Sequence, residues 1–159
     1  MIKFKNGLDY KDYIKTGTNE DLEMNKEFYK KSPIHNSKEN IEIKEKTNIA
    51  VFSMTRCKDA ATVTPVLLEL AQNNANINIK FFDKAGNEDL LENLTGEVRI
   101  PTILKLDDKG NIKDKFVEFP KEVKVVIEKN PKNKDIIVSD FRNDKYFDSL
   151  KSEIIRLLK

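Results

Sequence analysis

Asn48-Ile-Ala-Val-Phe-Ser-Met54, Thr55-Arg56-Cys57-Lys58-Asp59 and the segment from Ala60 to Asn74 form the continuous stretch that decides the fold. The first part is a short apolar run with the β-branched and aromatic content of a strand buried on both faces. The third is long enough for a helix and carries apolar residues at helical spacing. A short polar stretch separates them, and it holds Cys57, the only cysteine in 159 residues. In open α/β sheets, functional residues gather where strands end and helices begin.

Outward from that junction, Asn73-Asn74 break the helix and Ile77–Phe82 reads as the next strand, completing a βαβ unit expected to be parallel and right-handed. Asn87 to Leu94 predicts a short helix capped by Asn87 and closed by Gly96. Pro101 opens a strand to Asp107, Asp108-Lys-Gly-Asn111 turns the chain, and Ile112 to Phe119 returns antiparallel. Pro120 starts a helix through Val123, Val126 and Ile127, ended by Asn130-Pro131. A last helix is expected from about Asp144 to Lys159, burying Phe147, Leu150, Ile154 and Leu157 or Leu158.

Upstream, residues 7–15 place Leu8, Tyr10, Tyr13 and Ile14 on or near one helical face. Thr18 and Asp21 form a capping box that opens a second helix, striped by Leu22, Phe28 and Tyr29 and stopped by Ser32-Pro33. Residues 35–47 read as polar loop marked by Ile41 and Ile43. The expected organisation is one domain, with a helical extension over 1–46, a core over 47–130 and a C-terminal extension over 131–159.

Composition limits the partners. At 38% hydrophobic and 35% charged the chain is ordered and soluble in type, and its net charge of +2 comes from interleaved signs. That pattern offers no dedicated face for nucleic acid. No apolar run approaches the roughly 18 residues of a bilayer span, and Met1 to Gly7 lacks a signal-peptide core, so no membrane is expected. One cysteine cannot form an internal disulfide, which points to a reducing cytoplasm. No metal-ligand cluster or glycine-rich phosphate loop occurs, so no cofactor and no metal is expected. His35, the only histidine, is expected to sit idle in a polar loop, and Phe116 and Phe119 to serve packing.

A thiol at a helix N-terminus faces unpaired N–H groups and the positive end of the helix dipole. With Arg56 and Lys58 beside it, Cys57 is expected to favour thiolate. The plainer alternatives are a small buried hydrophobe at Cys57, solvated charges at Arg56 and Lys58, and a helix-start role for Asp59.

Cys57 to Ala60 at a strand-to-helix junction, Pro65 in the helix that follows and Ile100-Pro101-Thr102 before a later strand together resemble the thioredoxin superfamily. Within it, Cys57-Lys58-Asp59-Ala60 is most similar to a bacterial thioredoxin-like group whose active site reads Trp-Cys-Gly-Asp-Ala. Thr16-Gly17, Phe28-Tyr29, Asn87 and Phe141-x-Asn143-Asp144-Lys145 extend the likeness over nearly the whole chain. The resemblance implies a mixed sheet flanked by helices, with Pro101 cis and facing the thiol. It also implies a groove at Arg99, Ile100, Pro101 and Thr102 whose backbone pairs with an extended substrate.

Three departures bear on chemistry. Arg56 replaces the usual Trp, Ala60 replaces the resolving cysteine, and Val51 stands where thioredoxins bury an acid. Without a second cysteine, a mixed disulfide on Cys57 has to be resolved by an outside thiol. The expected role is therefore monothiol redox chemistry with a protein or small-molecule thiol. The alternative is a non-catalytic thioredoxin-fold module that binds a peptide or protein. A peroxide-reducing enzyme is disfavoured, because the proline and threonine placements before its reactive cysteine are missing.

Overall fold

The apolar run becomes β1 (Thr47–Ser53) in a computed structural model that describes residues 1–159. It is an inner strand of a four-stranded sheet in the order β2-β1-β3-β4, with β2 at Ile77–Asp83, β3 at Thr102–Leu106 and β4 at Ile112–Val117. The β1–β2 pair is parallel, from Thr47 opposite Ile77 to Ser53 opposite Asp83, and the β1–β3 and β3–β4 pairs are antiparallel. The sheet is mixed, and helices flank it.

Burial on both faces explains why β1 reads as an unbroken apolar run. Its alternate side chains feed two cores. Ile49 and Val51 join a cluster of 23 buried residues that runs from Tyr13 to Leu158. Ala50 and Phe52 point to the opposite face, where they meet Ile2, Leu91, Leu104 and Leu106. The larger cluster includes Tyr13, Ile34, Ile41 and Ile43, so the first 46 residues contribute directly to the core.

Two helices precede the sheet, α1 (Tyr10–Ile14) and α2 (Asn19–Lys31). The capping box is present: Thr18 accepts from the Asp21 N–H, and the Asp21 carboxylate accepts from the Thr18 N–H. Leu8 does not share the helical face expected for it. It lies ahead of α1, where its N–H donates to the Phe81 carbonyl at 2.9 Å and its carbonyl accepts from the Phe81 N–H at 2.7 Å. Gly7 permits that approach, because a Cβ there would lie 2.6 Å from the Lys80 Cβ.

Helix α3 (Lys58–Ala71) follows the junction and α4 (Glu88–Thr95) follows β2. Gly96 ends α4 at φ 77°, a left-handed conformation that glycine adopts without steric cost. Asn87 holds the N-cap position of α4, but its side chain donates back to the Asp83 carbonyl at 2.6 Å and caps nothing. Helix α5 (Lys121–Lys129) begins after Pro120.

The C-terminal third differs most from expectation. It holds two helices, α6 (Lys134–Arg142) and α7 (Phe147–Leu158), where one was expected from about Asp144. Asp144 sits in the joint between them at φ 65°. Helix α6 lacks a side-chain N-cap and follows a 3-10 turn over Pro131–Asn133, which hid it in the sequence. It buries Ile137 and Phe141, while α7 buries Leu150, Ile154 and both Leu157 and Leu158. No helix is long and apolar enough to cross a membrane.

Candidate functional site around Cys57

Cys57 is the N-cap of α3, and its sulfur accepts from the Ala60 N–H at 3.4 Å. Ala60 itself is buried, so the position of a resolving thiol is filled by a core methyl. Below the junction Val51 is 1% exposed within the main core, and no acid lies in its place. The thiol is half-buried and opens onto a groove of about 680 Å³.

The loop from Gly96 to Ile100 lines the groove across from Cys57, together with Lys84, Glu92 and Glu118. The Ile100–Pro101 peptide bond is cis. Neither the N–H nor the C=O of Val98 or Ile100 takes part in any hydrogen bond within the chain. Arg99 and Ile100 line the groove, whereas Pro101 lies buried behind it with its carbonyl accepting from the Glu118 N–H at 2.8 Å. Thr102 is wholly buried, and its hydroxyl donates to the Arg99 carbonyl at 2.6 Å. Thr102 therefore shapes the loop from inside and does not itself line the groove.

The electrostatics reverse the expectation for the thiol. Arg56 and Lys58 are exposed and do not govern its ionisation. Burial pushes the Cys57 thiol above its ordinary range, and the nearby Asp59 carboxylate adds to the rise. The Ala60 and Asp59 N–H groups act in the opposite direction, as a helix N-terminus should, but desolvation outweighs them. The cation that does favour thiolate is Arg142, from the end of α6.

Arg142 also explains Asp59. The guanidinium Nε donates to Asp59 Oδ1 at 2.8 Å, and its NH2 group donates to Oδ2 at 3.3 Å. The fork-on-carboxylate arrangement fixes both partners, with the Asp59 side chain 12% exposed and that of Arg142 36% exposed. Asp59 thus starts the helix and anchors α6 to it, 83 residues away in sequence. Sequence reasoning missed Arg142, although it is the unassigned residue inside Phe141-x-Asn143-Asp144-Lys145.

A second pair stands on the opposite wall, where Arg99 donates to Glu118 at 3.2 Å. Glu118 is held at φ 65°, a conformation non-glycine residues seldom adopt and that recurs at functional sites. Burial raises its carboxyl pKa, with Arg99 opposing. The groove therefore carries Asp59, Glu92, Glu97 and Glu118 against Lys84 and Arg99, and is not the cationic site the sequence suggested.

His35 is placed away from all this. It sits in a 3-10 turn over Pro33–Asn36, its Nε2 lies 2.7 Å from the Tyr29 carbonyl, and its ring packs on that of Tyr29. Its Nδ1 lies 3.8 Å from Glu69, twelve residues beyond Cys57 on α3 and so about 18 Å along the helix. A Cys57–His35 dyad is excluded by that separation. No group of three or more His, Cys, Asp or Glu side chains is placed to hold a metal.

Residues 7–134 match the family model described as thioredoxin. No curated protein matches the chain. Among solved structures, a crystal structure of a protein of unknown function from Pseudomonas aeruginosa is similar, with a TM-score of 0.76 and 18% identity over 98% of this chain and 93% of that one. An HIV epitope-scaffold is similar as well, with a TM-score of 0.73 and 18% identity over 98% and 94% of the two chains. At that identity the likeness is one of fold.

Proposed function

The chain belongs to the thioredoxin family, and from that premise we propose that Cys57 exchanges with the disulfide of a protein or small-molecule partner held in the groove. The observation that carries this reading is the shared wall: the sulfur and the unpaired backbone groups of Val98 and Ile100 border one space. An extended segment can pair with that backbone while presenting its disulfide to Cys57. The Cys57 proton goes to solvent, the thiolate attacks one partner sulfur, and the other partner sulfur leaves as thiolate. Ala60 cannot attack in turn, so a second external thiol releases the product and restores Cys57. Within the superfamily, the likeness to the group reading Trp-Cys-Gly-Asp-Ala rests on Cys57, Asp59 and Ala60 and on the matching segments at Thr16-Gly17, Phe28-Tyr29, Asn87 and Phe141 to Lys145.

Mass spectrometry of intact protein purified without reductant tests this. A reductant-sensitive adduct on the wild type, absent from Cys57→Ser, is expected. Unmodified protein after incubation with oxidised glutathione or a disulfide-bearing peptide would sink the reading.

The raised thiol pKa favours a second reading, in which the groove binds a peptide without chemistry. Binding that survives Cys57→Ser undiminished would select it. The same shift sets a pH dependence. With its pKa held above the ordinary thiol value by burial, the neutral thiol prevails at pH 7, so alkylation should be slow there and accelerate continuously into the alkaline range. A rate that plateaus by pH 7 would overturn that assignment. The sign for stability follows. The folded state holds the proton more tightly, so the contribution is complete below the unfolded thiol pKa and is lost as pH rises through the folded one.

A further inference from the structure

A second concavity, of about 490 Å³, lies between α1, α2 and α3 on a part of the surface that includes no residue of the Cys57 groove. Its floor is Tyr10, Ile14, Leu22, Tyr29 and Leu68. Its volume lies within the range of small-molecule sites, which combine apolar walls with a few placed polar groups. The charged residues around it are Lys11, Lys15, Lys26 and Lys30, and no carboxylate lines it. In a chain with 27 acidic residues against 29 basic ones, that one-sided rim is a local departure from the interleaved pattern elsewhere. Only Lys26 has a carboxylate partner, Glu23 at 3.5 Å with both side chains exposed, while Lys11, Lys15 and Lys30 form no ion pair.

We infer that this cleft between α1, α2 and α3 binds a fatty-acid-type carboxylate, with its aliphatic chain on the Tyr10–Leu22–Leu68 floor and its anionic head among the four lysines. Burying the chain releases water from apolar wall and ligand together, so affinity should rise with each methylene enclosed. The lysine rim discriminates the head group, since a neutral head gains nothing from it. The three-sided enclosure suits a single chain better than a peptide helix, whose diameter of about 10 Å needs an open trough.

The cleft also touches the Cys57 loop. Asn25 lines it, and its amide donates to the Asp21 carbonyl and to the Thr55 carbonyl, both at 2.8 Å. Thr55 donates in turn to the Asp21 carboxylate at 2.8 Å. The ligand would therefore rest against the residue that fastens the segment just ahead of Cys57.

Titration calorimetry with dodecanoate, kept below its micelle concentration, tests the assignment. Saturable one-to-one binding is expected, at least tenfold weaker for dodecanol and weakened further by salt. A combined Lys11→Gln, Lys15→Gln, Lys26→Gln, Lys30→Gln variant should lose at least tenfold. Those side chains are exposed, so its fold should be intact by circular dichroism, and Leu22→Asp should lose binding through the floor instead. Cys57→Ser should bind like the wild type, which separates this site from the thiol chemistry. The absence of saturable binding, equal affinity for dodecanol, or affinity unchanged in the four-lysine variant would overturn it. So would an acidic amphipathic peptide that displaces dodecanoate more tightly than dodecanoate itself binds.

Discussion

Phe141→Ala is expected to lower the unfolding free energy by about 3–5 kcal/mol, the cost of removing a buried aromatic side chain and leaving its cavity. Phe141 is 1% exposed and meets Phe119 edge to face, with ring centroids 5.2 Å apart at 87°. It joins α6 to the chain that returns from β4, so its loss should loosen the C-terminal third and the core together. For a chain of this length each kcal/mol corresponds to about 2–4 °C, giving a fall in Tm of roughly 10 °C. Urea titration and thermal melts would read both. A loss under about 1 kcal/mol would mean that α6 does not carry the packing described for it.

The Asp59–Arg142 pair yields the second large effect, because its two halves push the thiol in opposite directions. Arg142→Ala leaves the mostly buried Asp59 carboxylate without its partner. Breaking a buried pair costs about 3–5 kcal/mol, and partial exposure of the guanidinium reduces the expectation to about 2–3 kcal/mol. The same change removes the one side-chain cation that favours thiolate, so alkylation of Cys57 at pH 7 should slow. Asp59→Asn does the reverse. It deletes the carboxylate that raises the thiol pKa and leaves Arg142 unneutralised beside the sulfur, so alkylation at pH 7 should quicken. Rates that move the same way in both variants would show that the pair does not set the thiol's ionisation.

What could be read in the sequence was local. The Thr18–Asp21 box, the Asp108–Asn111 turn and the apolar run of β1 each announce themselves within a few residues. The strand-to-helix junction did as well, and it singled out Cys57. The failures concern relations between distant residues. Leu8 fitted a helical face, and only the Phe81 backbone opposite shows that it belongs beside the sheet. Lys134 to Arg142 has weak start signals, so its helix depends on the core against which Ile137 and Phe141 pack. The sign of the thiol shift depended on burial, which no neighbour in sequence displays. Arg56 and Lys58 were adjacent and conspicuous, yet Arg142 is the cation that acts.

The Leu8–Phe81 contact has a consequence for how the molecule keeps to itself. β2 is the outermost strand on its side of the sheet, and such a strand presents unpaired amides and carbonyls to any other extended chain. The segment around Leu8 lies along that rim, and Lys80 pairs with Asp9 at 2.8 Å beside it. Lifting this short strip, by cleavage or by a change at Gly7 that pushes it off, would uncover a template for intermolecular strand addition. The Leu8–Phe81 bridge thus closes part of that rim to intermolecular pairing, at a place apart from Cys57.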